Sequence, residues 1–83
     1  MLAKKKKILL DLDGVLNTYT GNYNADYIPP IKDGAVEFLQ RLSHNFEIKI
    51  FTVRDIELAE KWVKENNIQL YISGVTNTKE PAW

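Results

Sequence analysis

An apolar run near the start of the chain ends in two aspartates separated by a single residue. Ile8-Leu9-Leu10 leads directly into Asp11-Leu12-Asp13-Gly14. A run without alternation of apolar and polar residues is typical of a strand buried on both faces, as in a parallel sheet covered by helices. Ligands of such sheets bind beyond the carboxyl ends of the strands. Because residues i and i+2 of a strand share a face, Asp11 and Asp13 are predicted to address one ligand, while Gly14 lets the chain turn away.

The length predicts one small domain with about one hydrophobic core, and the composition is that of an ordinary globular protein. The chain has 83 residues, of which 45% are hydrophobic, and a formal net charge of zero. An even charge balance does not predict a nucleic-acid or membrane surface. Cysteine is absent, which excludes disulfides and thiolate metal sites, so a metal ion would need oxygen ligands or His44.

The lysines at 4–7 precede the apolar run in the way that the charged start of a signal peptide would. Asp11 and Asp13 interrupt that run after a few residues, so export is not predicted. No apolar stretch approaches the roughly 18 residues that span a bilayer. We therefore expect a cytoplasmic protein without a membrane partner, and we interpret the lysines as a solvated entry to the strand that limits aggregation.

Two helices and three strands are predicted in the order β-loop-α-β-α-β. Residues 18–30 are rich in Tyr, Asn, Thr, Gly and Pro and are predicted to form a loop. The helices are predicted to begin with Asp33 and Asp55 as N-caps. The second and third strands are predicted at 46–51 and within 68–75. Right-handed crossovers would then give an α/β domain with a parallel sheet of three strands.

Three tyrosines recur at every fourth position of the loop, namely Tyr19, Tyr23 and Tyr27. Glycine and asparagine between them argue against a helix. Two interpretations stay open: the loop is a flap over the site, or the tyrosines pack against the domain and fix the loop. His44, at the end of the first helix, is expected to interact with the helix dipole and is left out of the site.

Polar residues follow each predicted strand. Asp11 and Asp13 end the first strand, Thr52 and Arg54 follow the second, and Lys79 follows the third. Carboxylate, hydroxyl and cation together are what phosphoryl transfer requires. The D-x-D-G stretch alone is also found in turns and calcium loops, but the further acidic positions of an EF-hand loop are not present.

These residues, in this order, resemble the haloacid dehalogenase (HAD) superfamily of phosphohydrolases. Asp11-Leu12-Asp13-Gly14-Val15 is similar to the first motif of that family, Thr52 to the second, and Lys79 in Asn77-Thr78-Lys79-Glu80-Pro81-Ala82 to the third. Ile28-Pro29-Pro30 through Leu39 resembles small, minimally capped bacterial and phage members. The resemblance covers nearly the whole chain and implies that residues 1–83 form a single Rossmann-like domain with three layers.

The mechanism implied by the resemblance is Mg²⁺-dependent hydrolysis of a phosphate monoester. Asp11 would attack phosphorus to form an aspartyl-phosphate, and Asp13 would protonate the leaving oxygen and later activate water. The Asp11 side chain and the Asp13 backbone carbonyl would bind Mg²⁺. Thr52 would donate to a phosphoryl oxygen, and Lys79 would neutralise charge. The connection after the first strand is too short for a large cap domain, so the open site would admit bulky substrates such as nucleotides or phosphorylated macromolecules. The expected partner is a phosphorylated substrate, either a small molecule or a nucleotide-like one.

The sequence departs from the family pattern at its end. The fourth motif of the family is an acidic pair after the next strand, whereas this sequence ends at Pro81-Ala82-Trp83. We therefore expect a chain that is C-terminally truncated relative to the family, with weakened metal binding and activity. The first strand, Ile8 to Leu12, would then expose an apolar edge that favours self-association or completion by another segment.

Two other function classes remain open from the sequence. The first is a non-catalytic or truncated module that binds phosphate or metal, or that serves in assembly; the absent acidic pair favours it. The second is a nucleic-acid binder that uses the lysines at 4–7, which predicts strongly salt-dependent retention and is the least favoured of the three.

Overall fold

Three parallel strands and two connecting helices build the part of the chain that the computed structural model describes, residues 5–78. In chain order the elements are β1 (Lys6–Asp11), α1 (Ala35–Leu42), β2 (Phe46–Phe51), α2 (Ile56–Glu65) and β3 (Gly74–Thr76). The strand order in the sheet is β1-β2-β3, with both pairs parallel. The predicted α/β class and element order are confirmed. Lys4 and Lys79 lie outside the described residues.

One face of the sheet carries the core. Ile8 pairs with Ile48 and Leu10 pairs with Ile50, and these four side chains pack into a single apolar cluster with both helices. The buried residues of that cluster are Leu12, Leu16, Ile28, Ala35, Leu39, Ile48, Ile50, Ala59, Trp62, Val63 and Ile68.

Strand β1 is less buried than its apolar run predicted. Ile8, Leu9 and Leu10 are half-buried, and Lys6, Lys7 and Asp11 are exposed. The prediction of burial on both faces was wrong, because Ile8 and Leu10 pack against the core cluster whereas Leu9, on the opposite face, does not belong to it. β1 is also an edge strand, since β2 pairs with it on one side and residues 5–78 place no strand on the other. An edge strand keeps one row of backbone groups outside the sheet ladder.

Helix α1 begins without the predicted aspartate cap. Its N-cap residue is Gly34 at φ 86°, and no side chain caps the helix. The amide of Ala35 donates to the carbonyl of Lys32 at 3.1 Å, which with the positive φ of Gly34 is the geometry of a type II turn. Asp33 is therefore a turn residue, and Asp33 as N-cap was wrong, because Gly34 supplies the left-handed conformation that this turn needs.

Helix α2 begins as the sequence predicted. The Asp55 carboxylate accepts a hydrogen bond from the amide of Leu58 at 3.0 Å, so it satisfies one of the amides that a helix start leaves unpaired. Ala59, Trp62 and Val63 form the buried stripe of the helix. His44 lies in the exposed turn between α1 and β2. It is therefore near the amino ends of the strands, whereas Asp11 and Thr52 are at the carboxyl ends.

The third strand is shorter than predicted. Residues 69–71 form a turn in which Leu70 is 87% exposed, and regular pairing begins only at Gly74. Asn67 adopts a left-handed conformation at φ 57°, which redirects the chain after α2 so that Ile68 enters the core as a single anchor. Ile68, Tyr71 and Ile72 therefore pack in or against the core rather than pair in the sheet, whereas Leu70 is exposed.

The loop at 18–30, called here the tyrosine loop, has a closed base. The amide of Thr18 donates to the carbonyl of Pro30 at 2.9 Å, and Asn17 forms an antiparallel bridge with Ile31. The indole of Trp62 donates to the Pro29 carbonyl at 3.1 Å, which ties the end of the loop to α2.

Among residues 5–78, no helix is long and apolar enough to cross a bilayer.

Candidate active site

The carboxyl ends of the strands bring the predicted site residues to one edge of the sheet. Asp11 is the last residue of β1 and pairs with Phe51, the last residue of β2. Thr52 follows Phe51, and its amide donates to the carbonyl of Thr76 in β3 at 3.0 Å. Because parallel strands end at the same edge, Asp11 and Thr52 lie on neighbouring chain segments.

Asp11 presents its carboxylate to solvent. The residue is exposed, and the described residues provide no hydrogen-bond donor or cation to its side chain. A carboxylate in this state keeps its lone pairs for a metal ion or for an electrophile. The structure thus places the predicted nucleophile where a ligand can reach it.

A tight turn after β1 sets the direction of Asp13. Leu12 and Leu16 are fully buried, and the amide of Leu16 donates to the carbonyl of Leu12 at 3.0 Å. Gly14 completes the turn at φ 82°, a conformation that an L residue rarely adopts. The two leucines anchor the turn in the core, so Asp13 between them projects from a fixed backbone.

Asn17 is the internal support of this turn. Its side chain is buried, and its Oδ1 accepts from the amides of Gly14 at 3.0 Å and Tyr19 at 3.1 Å. Its Nδ2 donates to Asp13 Oδ1 at 3.1 Å. Asn17 therefore joins the start of the tyrosine loop to the carboxylate of Asp13.

Arg54 forms an ion pair with Asp13. Its Nε donates to Oδ1 at 3.1 Å and to Oδ2 at 3.0 Å, and its Nη2 donates to Oδ1 at 3.0 Å. The Arg54 side chain is 0% exposed and that of Asp13 is 19% exposed. Bidentate pairs of this kind fix orientation as well as charge. The two aspartates thus differ: Asp11 is exposed, whereas Asp13 is held.

Thr52 is more enclosed than its predicted role requires. The residue is 2% exposed, and its hydroxyl oxygen accepts from the amide of Arg54 at 3.1 Å. That bond leaves the hydroxyl hydrogen available as a donor. In this conformation Thr52 shapes the turn that carries Arg54, and a contact with a phosphoryl oxygen requires the covering atoms to move.

The segment that leads to Lys79 is anchored at the same edge. The Asn77 side chain donates to the carbonyl of Thr52 at 2.6 Å and to that of Arg54 at 2.9 Å. Lys79 itself lies outside the described residues, so its predicted role stays a prediction. Asn77 therefore ties the end of β3 to the segment that follows β2.

Three polar residues of this edge were not assigned to the site from the sequence: Asn17, Arg54 and Asn77. The sequence predicted Arg54 as a cation at this edge but gave it no role in the site, although an arginine at a strand end next to a strand that ends in aspartates can form a bidentate pair. Asn17 and Asn77 carry no such signal, because an asparagine after a strand reads equally as a turn residue.

The tyrosines of the tyrosine loop do not all behave alike. Tyr23 lies over Arg54, with the guanidinium carbon 4.7 Å from the ring centroid, and it contacts Tyr19 edge to face at 6.5 Å. Tyr27 is 57% exposed. The contacts of Tyr23 are those expected if the tyrosines fix the loop, and a flap over bound substrate stays a prediction.

The described residues at this edge supply some of the oxygen ligands that a hard cation needs. Mg²⁺ accepts one or two carboxylates and completes its shell with water and substrate phosphate. The exposed Asp11 carboxylate and the Asp13 backbone carbonyl are ligands of that type. Within residues 5–78, no group of three or more His, Asp or Glu side chains is placed to hold a metal ion, so substrate oxygens and water would supply the other ligands.

Comparisons of the chain with protein-family models, with curated proteins and with solved structures gave no match. The functional argument therefore depends on the residues of this edge and on their geometry.

Proposed function

We propose that the chain is a HAD-type phosphohydrolase with a Rossmann-like three-layer core, and that it hydrolyses a phosphate monoester through Asp11. The observation that supports this proposal is the difference between the two aspartates. Asp11 is exposed at the end of β1, as a nucleophile must be, whereas the Asp13 carboxylate is held by Arg54 and Asn17, as a group that transfers protons in a fixed direction must be.

The proposed reaction has two steps. In the first, a carboxylate oxygen of Asp11 bonds to phosphorus, the bond from phosphorus to the ester oxygen breaks, and that oxygen takes a proton that Asp13 carries on Oδ2 at the start of the cycle. In the second, Asp13 takes a proton from water, the water oxygen bonds to phosphorus, and the bond from phosphorus to Asp11 breaks. Two carboxylates in different environments then perform different tasks.

Charge at the site is supplied by several groups. Asp11 and the Asp13 carbonyl would hold Mg²⁺, which when bound neutralises charge on the phosphoryl oxygens. Thr52 would donate its hydroxyl hydrogen to a phosphoryl oxygen after the local movement described above, and Lys79 would lie over the same charge. Because Asp11 is exposed, the substrates expected are phosphorylated small molecules, including nucleotide-like ones.

The decisive test is hydrolysis of 4-nitrophenyl phosphate with Mg²⁺ by the wild-type chain and by Asp11→Asn. We expect turnover by the wild type and a loss of at least about 1,000-fold in the variant, because the nucleophile is removed. Asp33→Asn is the matched control, since Asp33 is also exposed but belongs to the turn before α1. Equal rates for Asp11→Asn and the wild type would contradict the assignment of the nucleophile.

A chain that binds phosphate without turnover would support the non-catalytic module instead. The probe for that outcome is beryllofluoride with Mg²⁺, followed by amide NMR. Shifts at Asp11 and Thr52 without hydrolysis would indicate a binding module, and unchanged spectra would exclude both functions for this chain.

The edge position of β1 also favours self-association. Among the described residues, β1 has a strand partner on one side only, and Ile8, Leu9 and Leu10 are half-buried rather than covered. Antiparallel pairing of two β1 strands would place Lys6 of one copy opposite Asp11 of the other, which is a favourable cross-strand pair. Such pairing would close the exposed edge.

A further inference from the structure

One buried cation connects the tyrosine loop to the carboxylate of Asp13. Arg54 is 2% exposed, and its guanidinium group donates hydrogen bonds from two edges. Nε and Nη2 donate to the Asp13 carboxylate, whereas Nη1 donates to the backbone carbonyl of Asn24 at 2.6 Å. The ring of Tyr23 covers the guanidinium plane at 4.7 Å. The same side chain therefore binds the loop and the aspartate at once.

The bonds to Asp13 are unevenly divided between its two oxygens. Oδ1 accepts from Arg54 Nε, from Arg54 Nη2 and from Asn17 Nδ2, at 3.1, 3.0 and 3.1 Å. Oδ2 accepts from Arg54 Nε alone, at 3.0 Å. A carboxylate offers about two acceptor positions on each oxygen, so Oδ1 is fully used. Oδ2 is the atom that keeps capacity for exchange of a proton.

The loop contact depends on the position of the loop backbone. Because Arg54 Nη1 binds the carbonyl of Asn24 rather than a side chain, that bond exists only when the loop is docked. Asn24 is held in turn by a local bond, since its side chain accepts from the amide of Asp26 at 2.9 Å. Residues 20–27 are otherwise exposed, so Arg54 and Tyr23 supply the contact between the centre of the loop and the site.

We infer that Arg54 is a positioning residue that couples docking of the tyrosine loop to the orientation of Asp13. With the loop docked, Arg54 and Asn17 hold Oδ1, and Oδ2 is presented for proton transfer. With the loop undocked, Arg54 loses two of its partners and Asp13 loses its fixed direction. This inference rests on the proposed function for its catalytic consequence, but the coupling itself is a property of the folded chain.

The catalytic consequence is tested by changing the leaving group. A nitrophenolate leaves without help, whereas an alkoxide needs a proton from the acid. We expect Arg54→Gln to lower kcat/KM by roughly 10- to 100-fold more for an alkyl phosphate than for 4-nitrophenyl phosphate, because misplacement of the acid matters only where the proton is needed. Arg54→Lys keeps the charge but not the forked geometry, so it should not restore the alkyl substrate.

Arg41→Gln is the matched control, because Arg41 is the exposed arginine of α1, and both substrates should be hydrolysed at wild-type rates. Equal losses for the two substrates in Arg54→Gln, or full activity in Arg54→Lys, would overturn the positioning role. Tyr23→Leu removes the ring contact without removing the buried cation and should give the same leaving-group pattern to a smaller degree, which keeps the test valid if Arg54→Gln does not fold.

The coupling is tested without any catalysis by limited cleavage with chymotrypsin at Tyr19, Tyr23 and Tyr27. Asp13→Ala and the milder Asp13→Asn are compared with the wild type, after circular dichroism has shown that each variant is folded. We expect cleavage in the loop to be roughly 5- to 10-fold faster in Asp13→Ala and intermediate in Asp13→Asn, because weaker docking raises the population of the open loop.

Cleavage of both Asp13 variants at the wild-type rate would overturn the coupling. The two experiments fail separately: absence of hydrolysis by the wild type would contradict the proposed function, while the proteolysis result would still decide whether Arg54 links the loop to Asp13.

Discussion

Removal of the Asp13 carboxylate should destabilise the whole fold, because it leaves the Arg54 cation buried and unpaired. The Arg54 side chain is 0% exposed, and Asp13 is 19% exposed. Removal of one partner from a buried ion pair costs about 3–5 kcal/mol. Arg54 keeps the Asn24 carbonyl and the Tyr23 ring, so we expect about 2–3 kcal/mol for Asp13→Ala. The total free energy of unfolding of a domain of 83 residues is roughly 4–12 kcal/mol.

Urea unfolding, followed by tryptophan fluorescence, measures this loss. At a slope of about 1 kcal/mol per molar urea, the midpoint should fall by roughly 2–3 M. Arg54→Met should cost a similar amount, since it leaves Asp13 without its cation. The double variant replaces the pair with apolar groups, and we expect it to cost less than the two single changes together, with a coupling free energy of at least about 1 kcal/mol.

The control cycle uses Asp33→Ala and Arg41→Met, an exposed acidic and an exposed basic residue for which the structure gives no ion pair within residues 5–78. These changes should be additive within about 0.5 kcal/mol. A coupling free energy below about 0.5 kcal/mol for the Asp13 and Arg54 cycle would refute the reasoning, because the pair would then behave as an exposed contact.

Three further outcomes are expected. Asn17→Ala should cost about 1–3 kcal/mol in urea unfolding, because the buried amides of Gly14 and Tyr19 lose their acceptor; an unchanged midpoint would contradict this. Trp62→Phe should cost about 1 kcal/mol in thermal unfolding, because the Pro29 carbonyl loses its donor; a Tm equal to that of the wild type would argue against the anchor. Sedimentation should detect dimers that pair through β1 at high concentration, and a monomer at every concentration would count against that interface.

The fold class was predictable because it depends on patterns that are local in sequence. Apolar stretches that end in polar residues marked β1 and β2, and the cap at Asp55 together with the stripe of Ala59 and Trp62 marked α2. These features follow from spacing alone, so they do not depend on which residues meet across the fold.

The errors arose where a distant contact or a backbone angle overrode the local pattern. Ile68 looked like the start of a strand, but the left-handed Asn67 turns it into the core instead. Asp33 looked like a cap, but Gly34 makes the turn. The burial of β1 depended on which face of the sheet the core covers, which the sequence of the strand does not contain.

Of the candidate site, the sequence predicted which residues lie together at the ends of the strands but not how they are held. Asp11, Asp13 and Thr52 were placed correctly at one edge, because parallel strands bring their ends together. That Arg54 and Asn17 bind Asp13 depends on side-chain geometry across separations of 41 and 4 residues. The pairing of Arg54 over 41 residues leaves no periodic signal in one sequence, and Asn17, four residues from Asp13, is equally typical of a turn.

The closed base of the tyrosine loop makes this segment replaceable. Its ends are joined by the bridge between Asn17 and Ile31 and by the bond from Thr18 to Pro30, so the path between them can change while Ile28 stays in the core and Arg54 keeps a loop carbonyl. Doubling the length of such a loop adds only about 0.6 kcal/mol of closure entropy. Segments of other lengths and compositions can therefore be grafted between Thr18 and Ile28 to build new binding surfaces beside Asp13, provided that one carbonyl still reaches Arg54.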